Sequence, residues 1–134
     1  MPSIIDIEGV GPAFAKKLKE AGVATTDALL VAGATPKGRK DLAAKAGIDE
    51  TKILEWVNRA DLYRIKGVGS EYSDLLEASG VDTVVELSKR VPANLFAKMV
   101  EVNKAKKLVR KMPIEPQVKD WIEQAKALPR KVSY

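Results

Sequence analysis

The sequence predicts an all-α protein with about eight short helices in two similar units. Most segments space their apolar residues for one face of a helix, and residues that begin or end helices separate these segments. One stretch of the chain also occurs twice, which indicates a tandem repeat. The best candidate for a strand, "VDTVV", is short and carries a helix-capping threonine, so we expect no strand.

Each helix is predicted from the residues at its ends. Residues 3–6 have room for one turn at most. The first unit is predicted to contain four helices. Pro12 begins the first and Gly22 ends it, and Thr25 or Thr26 caps the second, which runs to Ala32. Pro36 begins the third and Gly47 ends it, and Asp49 caps the fourth, which contains Trp56. The signals of the second unit are a repeated Gly-Val-Gly turn, a capping box of Thr83 and Glu86, an apolar stripe over residues 95–112, and Pro116 before a helix that contains Trp121.

The repeat aligns residues 6–30 with residues 64–88 without a gap. Both copies carry an isoleucine, Gly-Val-Gly, an aromatic residue, a leucine and a later Gly-Val. A looser similarity pairs Trp56 with Trp121 on amphipathic helices, so we expect both rings to lie in the core rather than to stack on bases. The second unit carries extra residues, which we place near its basic residues.

The repeat divides the chain into residues 1–63 and 64–134, which we expect to share one core because each unit alone buries little surface. The first part holds nine Lys and Arg against nine Asp and Glu, whereas the second holds fourteen against nine. The excess of positive charge therefore comes from the second part. Residues 98–111 there, which we call the basic block, carry six cations and one acid, Glu101.

The cations of that block fall on one side of the predicted long helix. Lys104, Lys107 and Lys111 are spaced to share the face opposite the apolar stripe. Such a face can contact a polyanion, and the alternative is an ordinary solvated surface.

The composition excludes several classes of protein. The chain has no Cys and no His, so disulfides, thiolate nucleophiles, Cys-ligated zinc and Ser-His-Asp chemistry are impossible. We therefore expect a protein that is not an enzyme and that holds no metal and no cofactor. The sequence has no apolar run of about 18 residues and no basic leader with a long apolar stretch. These features predict a cytoplasmic protein without a membrane contact.

The Gly-Val-Gly turns are the motif most suited to binding. The first glycine permits a backbone conformation that a Cβ disfavours, and the second permits close approach of another backbone or a phosphate. Val10 and Val68 are expected to point inward and fix each turn. The amides of such a turn, together with the start of the next helix, bind anions.

The two copies, "IEGVGPAFAKKL" and "IKGVGSEYSDLL", resemble the helix-hairpin-helix motif, whose pattern is h-x-G-h-G-x-x-x-A-x-x-h. The first copy matches every defined position, including Ala15, and the second differs only by Ser73 at that place. Nearly the whole chain also resembles a family of uncharacterised bacterial proteins with tandem hairpins of this type.

The resemblance implies that hairpin amides hold a DNA phosphate and that a nearby basic residue adds a second contact, without reading bases. The residues so implied are Gly9, Val10 and Gly11 with Lys16 and Lys17 in the first copy, and Gly67, Val68 and Gly69 with Lys66 in the second. Glu8 and Pro12 oppose this role in the first copy, and Glu71 and Asp74 oppose it in the second. The neighbouring basic block favours the second copy.

Taken together, the sequence predicts non-enzymatic, sequence-nonspecific binding of the DNA backbone. Lys104, Lys107 and Lys111 would add contacts to the same strand if their face lies beside the second hairpin, which the sequence does not decide. The alternative is a protein–protein adaptor in which the hairpins are purely structural. A third possibility is an accessory that presents DNA to a catalytic partner. The sequence does not set the oligomeric state.

Overall fold

The structure, a computed structural model, describes residues 3–7 and 9–134, so Glu8 lies outside the described residues. Over this range the chain forms a 3₁₀ turn at Ile4–Asp6 and eight α-helices, with no strand, which confirms the all-α prediction. None of the described helices has the length and apolar character needed to cross a membrane. The helices are α1 (Pro12–Glu20), α2 (Thr26–Ala32), α3 (Pro36–Ala46), α4 (Glu50–Leu62), α5 (Ser70–Ala78), α6 (Val84–Ser88), α7 (Pro92–Lys106) and α8 (Glu115–Ala127).

The chain folds as two compact units, Met1–Asp61 with Lys131–Tyr134, and Leu62–Arg130. The division falls close to the predicted one, but the last four residues belong with the first unit instead of the second. They do so because Val132 is buried there and the Ser133 N–H donates to the Ala34 carbonyl at 2.8 Å. The shared core stays a prediction.

The first unit is built from helices whose ends follow the sequence signals. The Thr25 hydroxyl accepts the Ala28 N–H at 3.1 Å and caps α2. The Thr35 hydroxyl caps α3 in the same way, and Gly47 ends α3 in the left-handed conformation with φ 68°. These helices bury a core of Ile4, Ile7, Leu18, Leu29, Leu30, Leu42, Ile53, Trp56 and Val57.

The second unit packs α8 against α6 and α7, and α5 against α7. The Thr83 hydroxyl accepts the Glu86 N–H at 3.3 Å and caps α6. Its core contains Ile65, Leu75, Leu76, Val84, Leu87, Leu95, Met99, Val118, Trp121 and Ile122.

Helix α7 ends earlier than predicted, which changes the predicted basic face. The helix stops at Lys106, and Lys107 adopts a left-handed conformation with φ 51°. The Val109 N–H donates to the Asn103 side-chain oxygen at 3.0 Å instead of to a helical carbonyl, and Pro113 disfavours helical backbone just before it. The prediction that Lys104, Lys107 and Lys111 share one helical face is therefore wrong.

Candidate nucleic-acid interface

The two Gly-Val-Gly turns are closed by equivalent backbone hydrogen bonds. The Val10 N–H donates to the Ile7 carbonyl at 3.0 Å, and the Val68 N–H donates to the Ile65 carbonyl at 3.1 Å. Both valine side chains are buried, as the motif predicts. The valine amides are thus engaged inside the turns, whereas the assignment of the turn residues to a phosphate stays a prediction.

The first glycine of each turn has the conformation that the motif requires. Gly9 has φ +90° and Gly67 has φ +99°, a region that residues with a Cβ rarely adopt. A Cβ on Gly9 would lie 3.4 Å from the indole nitrogen of Trp56, and a Cβ on Gly67 would lie 3.1 Å from that of Trp121. Each turn therefore rests against the edge of a tryptophan ring.

The tryptophans are buried in the cores, which confirms the prediction made for them. Trp56 packs against Phe14 with ring centroids 5.2 Å apart, and Trp121 packs against Tyr72 at 5.3 Å. Because Phe14 and Tyr72 lie in the first turns of α1 and α5, each ring pair connects the Gly-Val-Gly turn to the helix that follows it.

The second glycine of each turn begins a helix without a side-chain cap. Gly11 and Gly69 are the N-cap residues of α1 and α5, and apart from the adjacent residues no atom of the described chain lies within 4 Å of a Cβ placed on either. By contrast, threonine hydroxyls cap α2, α3 and α6. Pro12 has no N–H, so the first turn of α1 offers only the amides of Ala13 and Phe14. In the described chain, these amides and the first-turn amides of α5 have no hydrogen-bond acceptor, which leaves them available to an anion.

Two lysine ammonium groups lie over the ring of Phe14, in the first turn of α1. Lys16 and Lys17 are exposed on α1, and the Lys17 ammonium lies 5.8 Å from the centre of the Phe14 ring. The ammonium of Lys52, from α4, lies at the same distance from that ring. Lys52 has no signal in the sequence because only the folding of α4 brings it to α1.

The second turn is held by a glutamine that sequence analysis missed. The Lys66 N–H donates to the Gln124 side-chain oxygen at 2.8 Å, and the Gln124 amide nitrogen donates to the Lys66 carbonyl at 3.0 Å. The Lys66 side chain stays exposed, whereas its own amide is occupied. Glu71, an exposed acid in the first turn of α5, lowers the positive potential there.

The basic block reaches α5 through one hydrogen bond. The Tyr72 hydroxyl donates to the Lys111 carbonyl at 3.0 Å, which places residue 111 beside the helix that follows the second turn. Lys104, Lys107 and Lys111 are all exposed, but they lie on the last turn of α7 and on the segment after it. The structure thus brings the block near α5 without forming one helical face.

The glycines of one turn are expected to differ in their tolerance of alanine. Gly67→Ala should destabilise the protein by about 2 kcal/mol, because alanine is strained at this φ and its Cβ would press on Trp121. Gly69→Ala is the matched control, with φ −100° and open space, and should cost no more than about 1 kcal/mol, the preference for glycine over alanine at an N-cap. Urea denaturation followed by circular dichroism measures both, and equal losses would contradict the assignment.

Comparisons with known proteins place the chain in a family without assigning an activity. Over the described residues, no group of three or more His, Cys, Asp or Glu side chains is placed to hold a metal ion. Neither a curated protein nor a solved structure matches the chain. A family model described as "Domain of unknown function (DUF4332)" matches residues 8–128. Since this match covers most of the sequence, the chain belongs to the DUF4332 family.

Proposed function

We propose that this protein binds the phosphate backbone of nucleic acid, without catalysis and without reading base sequence, and that its two Gly-Val-Gly turns act as helix-hairpin-helix sites. The observation that carries the proposal is the repetition of one construction. In each unit, a left-handed glycine rests on a buried tryptophan, a buried valine closes the turn, and a helix begins without a side-chain cap.

The construction has the properties of an anion site. First-turn amides without an acceptor and the positive end of the helix dipole both favour a phosphate. Exposed lysines stand near both turns, Lys16 and Lys17 on α1 and Lys66 beside Gly67. Because such contacts reach only the backbone of the nucleic acid, binding is expected to be nonspecific and weakened by salt.

The second candidate function is a protein–protein adaptor. It is favoured by the exposed Glu71 in the first turn of α5 and by the internal support of each turn, which needs no ligand to be stable. Under this function the turns connect helices, and the chain has no affinity for polyanions.

Binding to a short fluorescent DNA duplex, measured by anisotropy over a range of salt concentrations, separates the two functions. A few phosphate contacts should give a slope of log K against log[salt] of roughly −2 to −4. Absence of binding to duplex or single strand at low salt would reject the proposal and leave the adaptor function.

Charge reversals then locate the contact. We expect Lys104→Glu with Lys107→Glu to weaken binding more than Lys16→Glu with Lys17→Glu, because the excess of positive charge lies in the second part of the chain. Lys37→Glu with Lys45→Glu, on α3, makes the same change in net charge and serves as the control. Equal losses from the first two pairs would show that the second unit does not dominate.

A further inference from the structure

The segment after α7 is an element that the first unit lacks. Helix α7 has 15 residues where its counterpart α3 has 11, and residues 107–114 connect it to α8 where residues 47–49 connect α3 to α4. We call residues 107–114 the basic loop. The extra residues of the second unit therefore lie largely in this loop and in the last turn of α7.

Two polar side chains tie the basic loop to the rest of the unit. The Asn103 side chain accepts the Val109 N–H at 3.0 Å and donates to the Val109 carbonyl at 3.3 Å, while the Val109 side chain is buried. The Tyr72 hydroxyl donates to the carbonyl of Lys111 at 3.0 Å. The loop is thus fixed to α7 at one point and to α5 at another.

Comparison of the two repeats shows that the hydrogen bonds of Asn103 and Tyr72 occur only in the unit that has the loop. Phe14 occupies the place of Tyr72 and packs on its tryptophan at nearly the same distance, so the ring does the packing and the hydroxyl serves only the loop. At the helix end, the Gly47 N–H donates to the Ala43 carbonyl as the Lys107 N–H donates to the Asn103 carbonyl. Ala43 therefore occupies the place of Asn103 and has no polar side chain.

Lys107 stands where the first unit uses a glycine. Both Gly47 and Lys107 are left-handed, with φ 68° and 51°, and this conformation is unfavourable for a residue with a Cβ. A cation is thus present at a position where glycine would be less strained.

The charges around the loop are of one sign. No acid occurs between Glu101 and Glu115, and in the described chain the cations between them form no ion pair. These cations, all exposed, are Lys104, Lys106, Lys107, Arg110 and Lys111.

We infer that the basic loop is a preformed contact for nucleic-acid phosphates, and that Asn103 and Tyr72 are positioning residues that hold it in shape. The inference rests on the proposed function and adds a second contact that is independent of the Gly-Val-Gly amides. Fixing the loop before binding reduces the entropy lost on association, and its cations displace counterions from the phosphates.

The test uses the duplex titration with two kinds of variant. Arg110→Gln with Lys111→Gln should make the salt slope less steep by about two, whereas Lys37→Gln with Lys45→Gln should leave it unchanged. Tyr72→Phe and Asn103→Ala each install the residue of the first unit. We expect each variant to weaken binding of the duplex by about threefold to tenfold while the salt slope stays the same. The loop keeps its cations, but it is no longer held in one conformation before binding.

The outcomes separate this inference from the proposed function. If the wild-type protein binds duplex and the Arg110 and Lys111 variant keeps its salt slope, the inference is overturned and the proposed function stands. If the wild type binds no nucleic acid, both fail. Loop-dependent binding to phosphatidylserine vesicles with no duplex binding would assign the loop to a lipid surface and also overturn the inference. Urea denaturation of Tyr72→Phe verifies that any loss of affinity is not a loss of folding.

Discussion

Replacing Trp121 with alanine is expected to destabilise the protein by about 3–5 kcal/mol. The Trp121 side chain is buried in the second unit, where it packs against Tyr72 and supports Gly67 at the edge of its ring. The substitution leaves a large cavity and removes the support of the turn at the same time. We therefore expect the same variant to bind duplex more weakly at temperatures where it remains folded.

Urea denaturation followed by far-ultraviolet circular dichroism measures this loss, since the substitution removes one of the two tryptophans of the chain. Ile114→Ala is a control for removing apolar atoms, because Ile114 is 61% exposed and its loss should cost less than about 0.5 kcal/mol. A cost for Trp121→Ala similar to that of the control would show that the ring does not anchor the core.

The parts of the fold that sequence predicts well are those specified by neighbouring residues. The threonine caps of α2 and α6 and the glycine that ends α3 act within a few residues of their partners, so their positions follow from the pattern. The repeat similarly predicts that the two Gly-Val-Gly turns share one backbone path. Their hydrogen bonds and their left-handed first glycines agree.

The parts that sequence does not predict depend on distant partners. The apolar spacing of residues 95–112 continues past the true end of α7, because Val109 is buried in the loop as it would be in a helix. The bond from the Tyr72 hydroxyl to residue 111 crosses 39 positions, and no local pattern indicates it. The contacts of Gln124 with Lys66 and of Lys52 with Phe14 are likewise products of tertiary packing.

Deleting Lys131–Tyr134 is expected to destabilise the first unit by about 3–6 kcal/mol. Arg39 is 4% exposed, and its guanidinium donates to the Gly33 carbonyl at 2.9 Å and to the Ser133 carbonyl at 2.8 Å. The deletion removes one acceptor of a buried cation and also the buried side chain of Val132. A hydrogen bond to a charged group contributes about 1.5–3 kcal/mol, and burial of a valine contributes a similar amount.

Trp56 lies in the first unit, so its fluorescence in urea reports on the unfolding of that unit once Trp121→Phe has removed the other tryptophan. Both the full-length and the shortened chain carry the Trp121→Phe substitution in this experiment. A double-mutant cycle with Arg39→Met isolates the buried cation. If the loss of its acceptor is a main cause, the deletion should cost about 1.5–3 kcal/mol less in the Arg39→Met chain. An equal cost in both chains would assign the whole effect to Val132 and its neighbours, because the guanidinium would then gain nothing from Ser133.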